Sequence, residues 1–222
     1  MVGHMRRAGL TVTPRVYNTA MRSAGAGGLV KDALVLLGEM RQAGVRVCME
    51  NYGCAVQACA KAGDASTALA LLDEMRLDGL TPNQVVYNSA IASCRAKGRW
   101  GDAWSLLERM QAEGVEPNDQ HFNAAISVAA KAGEWTLALR LLEEMDQRDL
   151  PRTAFTYASA MDACRRAAQV DHVLQLLDEM RRPGGPVPNL VCINVAAGAC
   201  AHASPPGPAM AQRALDLLEE AR

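Results

Sequence analysis

An aromatic residue recurs at Tyr17, Tyr52, Tyr87, Phe122 and Tyr157, each step being 35 residues. Met40, Met75, Met110, Met145 and Met180 keep the same step. Leu-Leu pairs ride between them at 36–37, 71–72, 106–107, 141–142 and 176–177, and again slightly displaced at 217–218. A fixed period of this size is the mark of stacked-repeat architectures, in which each unit is one supersecondary element unable to bury its apolar face alone.

Residues 84–118 show what the unit is. Tyr87, Ala90, Ile91 and Cys94 fall at i, i+3, i+4 and i+7, the stripe of an amphipathic helix. Gly98 breaks the run, and Trp100, Ala103, Trp104, Leu107 and Met110 form a second helical stripe packed as core. Gly114 stands where a left-handed residue closes a helix, and Pro117 where a helix could not continue. The spacing predicts helix pairs opening near 14, 49, 84, 119, 154 and 190, with turns near Gly28, Gly63, Gly98 and Gly133 and no strand. Neighbouring pairs must stack to cover both stripes.

Tyr-Asn opening the first helix, Ala…Leu-Leu…Glu-x-Met in the second and the Gly-Val-x-Pro-Asn exit resemble a pentatricopeptide repeat. The tetratricopeptide repeat differs in its period of about 34 and in its Trp-x-x-Leu-Gly signature, which this chain lacks. The resemblance covers nearly the whole chain and implies an all-α, right-handed solenoid of stacked antiparallel helix pairs. Its units run 14–48, 49–83, 84–118, 119–153 and 154–189. Residues 190–222 begin a sixth, with its turn lengthened by Ser204-Pro205-Pro206-Gly207-Pro208. Residues 1–13 match the end of a second helix at the same offset, Met5, Gly9 and Leu10 standing for Met40, Gly44 and Val45, so they read as the tail of a preceding repeat. That segment is too short for a transit peptide.

Half of the residues are hydrophobic and only 4% aromatic, which suits close packing of small side chains. No apolar run approaches the ~18 residues of a membrane span. The net charge of −1 argues against a uniformly basic nucleic-acid binder. Charge is nevertheless partitioned: the first-helix segments carry eight bases and three acids, a net of +5, which leaves −6 elsewhere. Mixed solvated helix charge would explain part of that difference, and a basic binding face would explain all of it.

Cys59, Cys94 and Cys164 share one repeat position, alternating with Ala24 and Ala129, and Cys200 matches them once an inserted residue is counted. That periodicity reads as a small buried side chain. No C-x-x-C pair suggests a metal site. The four histidines fall at unrelated repeat positions, and no nucleophile–base pair or phosphate loop accompanies them. The expectation is a segment without catalysis, metal, cofactor or small-molecule substrate.

The resemblance implies binding of single-stranded RNA along the first helices, one base per unit read by two or three side chains. It assigns base reading to the residue after the aromatic and the last residue of the unit. The pairs are Asn18 with Cys48, Gly53 with Asn83, Asn88 with Asn118, Asn123 with Thr153, and Ala158 with Asn189; Asn194 has no second member. An asparagine amide offers a base edge both donor and acceptor. Only the third unit has the family's full Asn-Asn pair, which implies a pyrimidine there, and Asn123 with Thr153 leans the same way. The residue two before the aromatic packs on the base: Val85, Phe155 and Val191 suit this, whereas Arg15, Glu50 and Gln120 depart from it. Helix capping is the competing role for Asn83, Asn118 and Asn189. Lys61, Arg95, Lys131, Arg165 and Arg166 recur near the ends of first helices and would meet successive phosphates. Resemblance places such a protein in a mitochondrion or plastid, in RNA processing, stability, editing or translation. A protein-binding scaffold, or the binding part of a larger RNA-processing enzyme, are the alternatives.

Overall fold

The computed structural model describes residues 13–202 and 208–220. The repeat tail read at 1–12 and most of the lengthened turn before the last helix lie outside the described residues. Twelve α-helices and no strand occur among the described residues. They are α1 (Pro14–Gly27), α2 (Val30–Gln42), α3 (Met49–Ala62), α4 (Ala65–Leu77), α5 (Gln84–Ser93, continued by a 3-10 turn Cys94–Lys97) and α6 (Trp100–Ala112). Then follow α7 (Asp119–Ala132), α8 (Trp135–Gln147), α9 (Ala154–Arg166), α10 (Val170–Met180), α11 (Leu190–Ala201) and α12 (Pro208–Glu220). Odd-numbered helices are the first members of their pairs, and they open at the residues that the aromatic phase predicts.

The chain forms two compact units, Met1–Ala96 with Gly101–Glu116, and Lys97–Trp100 with Pro117–Arg222. Within the first, α3 packs between α1 and α5. Within the second, α9 packs between α7 and α11. First helices therefore lie side by side in each unit, and second helices seat in the grooves between them: α2 on α1 and α3, α4 on α3 and α5, α8 on α7 and α9, α10 on α9 and α11.

The periodic residues are the ones this stacking buries. Tyr17, Tyr52, Tyr87, Phe122 and Tyr157 are fully or almost fully buried, as are Met40, Met75, Met110, Met145 and Met180. Small residues let the first helices approach closely: a Cβ on Gly25 in α1 would stand 2.7 Å from the Cys54 carbonyl oxygen in α3. Trp100 departs from the core role expected of it, being 42% exposed. It is the first residue of α6, and the buried stripe begins only with Ala103.

Both turns of the unit close in one way. At the end of a second helix the amide of Val45, Leu80, Val115 or Leu150 donates to the carbonyl of Met40, Met75, Met110 or Met145, at 2.9–3.0 Å. At the end of a first helix Leu29, Asp64, Glu134 and Gln169 donate likewise to Ala24, Cys59, Ala129 and Cys164, at 2.9–3.0 Å. This six-to-one bond of the Schellman motif needs a left-handed residue between its partners. The alternating Ala/Cys position is thus the last-turn carbonyl of α1, α3, α7 and α9, pressed into the stack. Burial pushes the Cys59 thiol up to about 12 and the Cys164 thiol up to about 11, so both stay protonated and inert.

Successive second helices are laced by ion pairs. Arg41 reaches Glu74 and Asp78, Arg76 reaches Glu113, Arg109 reaches Asp73, and Arg152 reaches Asp146 and Glu179. Six of the acids outside the first helices are engaged here. Arg41 also donates to the Tyr52 hydroxyl, which itself donates to Asp78 at 2.6 Å.

Candidate functional site

Counted from the start of each first helix, the fourth residue is the aromatic, with Ile193 in its place in α11. The second residue points away from the core: Val85 is 71% exposed, Phe155 59% and Val191 56%. Arg15, Glu50 and Gln120 are exposed at the same place. Glu50 is paired there with Arg22 of α1 at 3.2 Å.

The closing residue of each unit caps the next first helix. Asn83 Oδ1 accepts from the Val86 amide and Asn189 Oδ1 from the Cys192 amide, both at 3.0 Å. Asn118 Oδ1 accepts from Gln120 at 3.1 Å, and Thr153 Oγ1 from Thr156 at 3.4 Å. Capping occupies the acceptor and leaves the Asn Nδ2 group over, so it does not exclude a second role. Asn83 and Asn189 are exposed, and Asn83 Nδ2 lies 3.1 Å from Met49 Sδ.

The fifth residue lies one turn into the helix, beside these caps. Asn18 and Asn123 are half-buried, and each meets a residue of the following first helix: Asn51 Nδ2 donates to Asn18 Oδ1 at 2.8 Å, and Thr156 Oγ1 to Asn123 Oδ1 at 2.6 Å. Asn88 keeps a buried Oδ1 that accepts no hydrogen bond from the described residues. It belongs to the first compact unit and Asn118 to the second, whereas Asn123 and Thr153 share one unit. Asn194 is exposed.

Between α3 and α5 these positions line an open cleft of about 510 Å³, together with Met49, Glu50 and Val86 among others. The fifth residue of one repeat, its closing residue and the exposed second residue of the next are brought together in one slot.

The period and this slot geometry agree with a family match. The model described as the pentacotripeptide-repeat region of PRORP matches residues 39–184, and the PPR repeat model matches residues 15–45. The chain belongs to the pentatricopeptide repeat family. The crystal structure of the pentatricopeptide repeat protein PPR10 from maize superposes with a TM-score of 0.76 at 28% identity, covering 99% of this chain and 30% of that one. The PPR domain of Arabidopsis thaliana protein-only RNase P 1 in complex with tRNA gives 0.61 at 20% identity, covering 72% and 85%. Nuclear proteinaceous RNase P 2 from A. thaliana gives 0.67 at 14% identity, covering 95% and 42%. This chain spans about a third of the length of the PPR10 chains, 30% of the free form and 36% of the form crystallised with an 18-nt psaJ RNA element. No curated protein matches it.

The basic residues of this pentatricopeptide array lie seven or eight residues beyond the fifth position. At ~1.5 Å per residue that is some 11–12 Å along the helix. Lys61 is exposed and donates to the Ala26 carbonyl at 2.5 Å. Arg95 and Lys131 are exposed, and among the described residues no carboxylate pairs with them or with Lys61. Arg165 and Arg166 share one carboxylate: Asp162 accepts from them at 2.6 and 2.8 Å. Burial works to raise the Asp162 carboxyl, but the hydrogen bonds from Arg166 and Arg165 prevail and hold it below the usual carboxylate range. Sequence reasoning missed this clamp and missed Asn51 and Thr156. The signal for the first was the i, i+3, i+4 spacing of Asp162, Arg165 and Arg166.

Proposed function

We propose that this pentatricopeptide array binds single-stranded RNA along its first-helix openings, each slot taking one base and the basic residues beyond it taking phosphates. The observation that carries the reading is the open cleft between α3 and α5, where Gly53, Asn83 and exposed Val85 line a space of about 510 Å³. A flat base needs an apolar wall to pack on and a polar group at its edge, and this slot offers both. The crystallised complexes of PPR10 with an 18-nt psaJ RNA element and of the RNase P 1 repeat domain with tRNA support the ligand class. In this reading the segment binds and does no chemistry of its own, and it serves transcripts of a mitochondrion or plastid. The test compares a labelled single-stranded RNA with the same sequence annealed to its complement, by fluorescence anisotropy. Preference for the single strand is expected, and equal or absent binding contradicts the proposal.

A second reading makes the array the binding part of a larger RNA-processing enzyme. The match of residues 39–184 to the repeat region of PRORP favours it. Folded tRNA should then compete better than linear RNA of equal length. The reverse order returns the lead to the first reading.

A further inference from the structure

The buried polar side chains among the described residues are Asn51, Ser93, His121 and Thr156. Three of the four occupy one repeat position, the third residue of a first helix. A buried polar group is costly unless hydrogen-bonded, so such a recurrence asks for a recurring partner. The third residue of α9 shows what the partner is. Thr156 Oγ1 accepts from the Thr153 amide at 3.0 Å, stands 3.1 Å from Thr153 Oγ1, and donates to Asn123 Oδ1 at 2.6 Å. Thr153 and Asn123 are the closing and fifth residues of the preceding repeat, so one hydroxyl ties both together.

The third residue of α3 does the same with different chemistry. Asn51 Oδ1 accepts from the Cys48 amide and lies 3.0 Å from the Cys48 thiol, while Nδ2 donates to Asn18 Oδ1 at 2.8 Å. Cys48 and Asn18 are again a closing and fifth pair. In both places the amide oxygen of the fifth residue is taken, which leaves its Nδ2 donor for another partner.

Residue types along the chain follow the same logic. Where the fifth residue is Asn18 or Asn123, the third residue of the next first helix is Asn51 or Thr156, whereas His121, at the third place of α7, turns to Asn118 Oδ1 at 2.6 Å. Where it is Gly53 or Ala158, with nothing to orient, the next third residue is Val86 or Cys192. The Cys192 thiol turns instead to the Ala154 carbonyl, at 3.5 Å.

We propose that a polar third residue of a first helix, Asn51 in α3 and Thr156 in α9, is a positioning residue for the preceding repeat: it takes the amide oxygen of the fifth-position asparagine and so fixes where the amide nitrogen can donate to an acceptor on the base edge. The selection step rests on the RNA-binding reading; the orientation of the amide does not. Two measurements separate them. Thr156→Val removes the hydroxyl, and valine is already at home in this position as Val86. In the free protein the Asn123 side-chain amide should be rigid by 15N relaxation, mobile in Thr156→Val and rigid again in Thr156→Ser. Equal mobility in all three overturns the positioning role whether or not RNA binds. With RNA, a panel varying the one nucleotide that faces this repeat should show discrimination falling about fivefold in Thr156→Val, the factor one ordinary hydrogen bond is worth. Preferences at the other nucleotides and the salt dependence should stay unchanged, and Thr156→Ser should restore selectivity. Affinity lost evenly for all four bases would mark Thr156 as a structural residue only. Failure of the unaltered protein to bind any RNA would refute the functional reading and with it the selection step, and leave the relaxation result to decide the geometry.

Discussion

Ala168 holds φ at +56° at the repeat position where Gly28, Gly63, Gly98 and Gly133 hold +59° to +77°. A left-handed backbone costs an ordinary L-residue roughly 1–2 kcal/mol, and glycine nothing of that kind. Ala168→Gly should therefore stabilise the protein by about 0.5–1 kcal/mol once glycine's extra unfolded-state entropy is deducted. Gly63→Ala should do the opposite and by more, because the new methyl would also overlap Ala96. Chemical denaturation of the two variants checks both signs, and a neutral Ala168→Gly would mean that the turn carries no strain. At Asn88 the family pair predicts chemistry: Asn88→Thr should move the preferred base from pyrimidine toward purine by ~1–3 kcal/mol. Oligonucleotides differing at one base read this directly, and a uniform loss would leave Asn88 a packing residue. Residues of this kind were legible in the sequence because they repeat in register. Ala168 was not, since it lacks the glycine that announces the turn. Asn51 and Thr156 were not, because their partners Asn18 and Asn123 lie 33 residues earlier and at a different repeat position.

Among elements, the helix pairs were readable from two apolar stripes and a glycine, since 3.6-residue periodicity and Schellman closure are local physics. What joins one second helix to the next was not readable, because charged residues on a solvated face fit many partners. Arg41, Tyr52, Glu74 and Asp78 form one of these joints. The hydrogen bond from the Tyr52 hydroxyl, then that from Arg41, holds the Asp78 carboxyl below its ordinary value. A carboxyl lowered in the folded state stabilises fully above its unfolded value near ~3.9, and that contribution disappears as pH falls through the folded value. Asp162, also lowered, acts in the same direction. Thermal midpoints should thus fall from about pH 5 downward, and Asp78→Asn should flatten part of that fall. An unchanged acid limb in Asp78→Asn would show the joint to be a solvated contact. At α9 the same carboxylate chemistry opposes binding: Asp162→Asn should free Arg165 and Arg166 and strengthen RNA binding most at low salt. A weaker complex would mean that Asp162 positions the two arginines for phosphate rather than withholding them.

For the whole molecule, the central claim is that a chain of net charge −1 binds a polyanion because its charge is sorted by helix. Asp73, Glu74, Asp78 and Glu179 pair with arginines of neighbouring repeats, while Lys61, Arg95 and Lys131 stand exposed on first helices without a carboxylate partner among the described residues. Charges beyond a Debye length of ~10 Å are screened at ordinary salt, so local sorting outweighs the net value. The most direct measurement is anisotropy on short single-stranded RNAs between about 50 and 300 mM salt, a range over which counterion release is resolved. Three phosphate contacts, from Lys61, Arg95 and Lys131, at ~0.7 each predict a log–log slope of roughly −2. Changing Arg95 and Lys131 together to Gln should weaken every sequence alike and flatten that slope by about 1–1.5. Absence of binding at low salt, or a slope that the double change leaves untouched, would contradict the account and give the lead to a protein-binding scaffold.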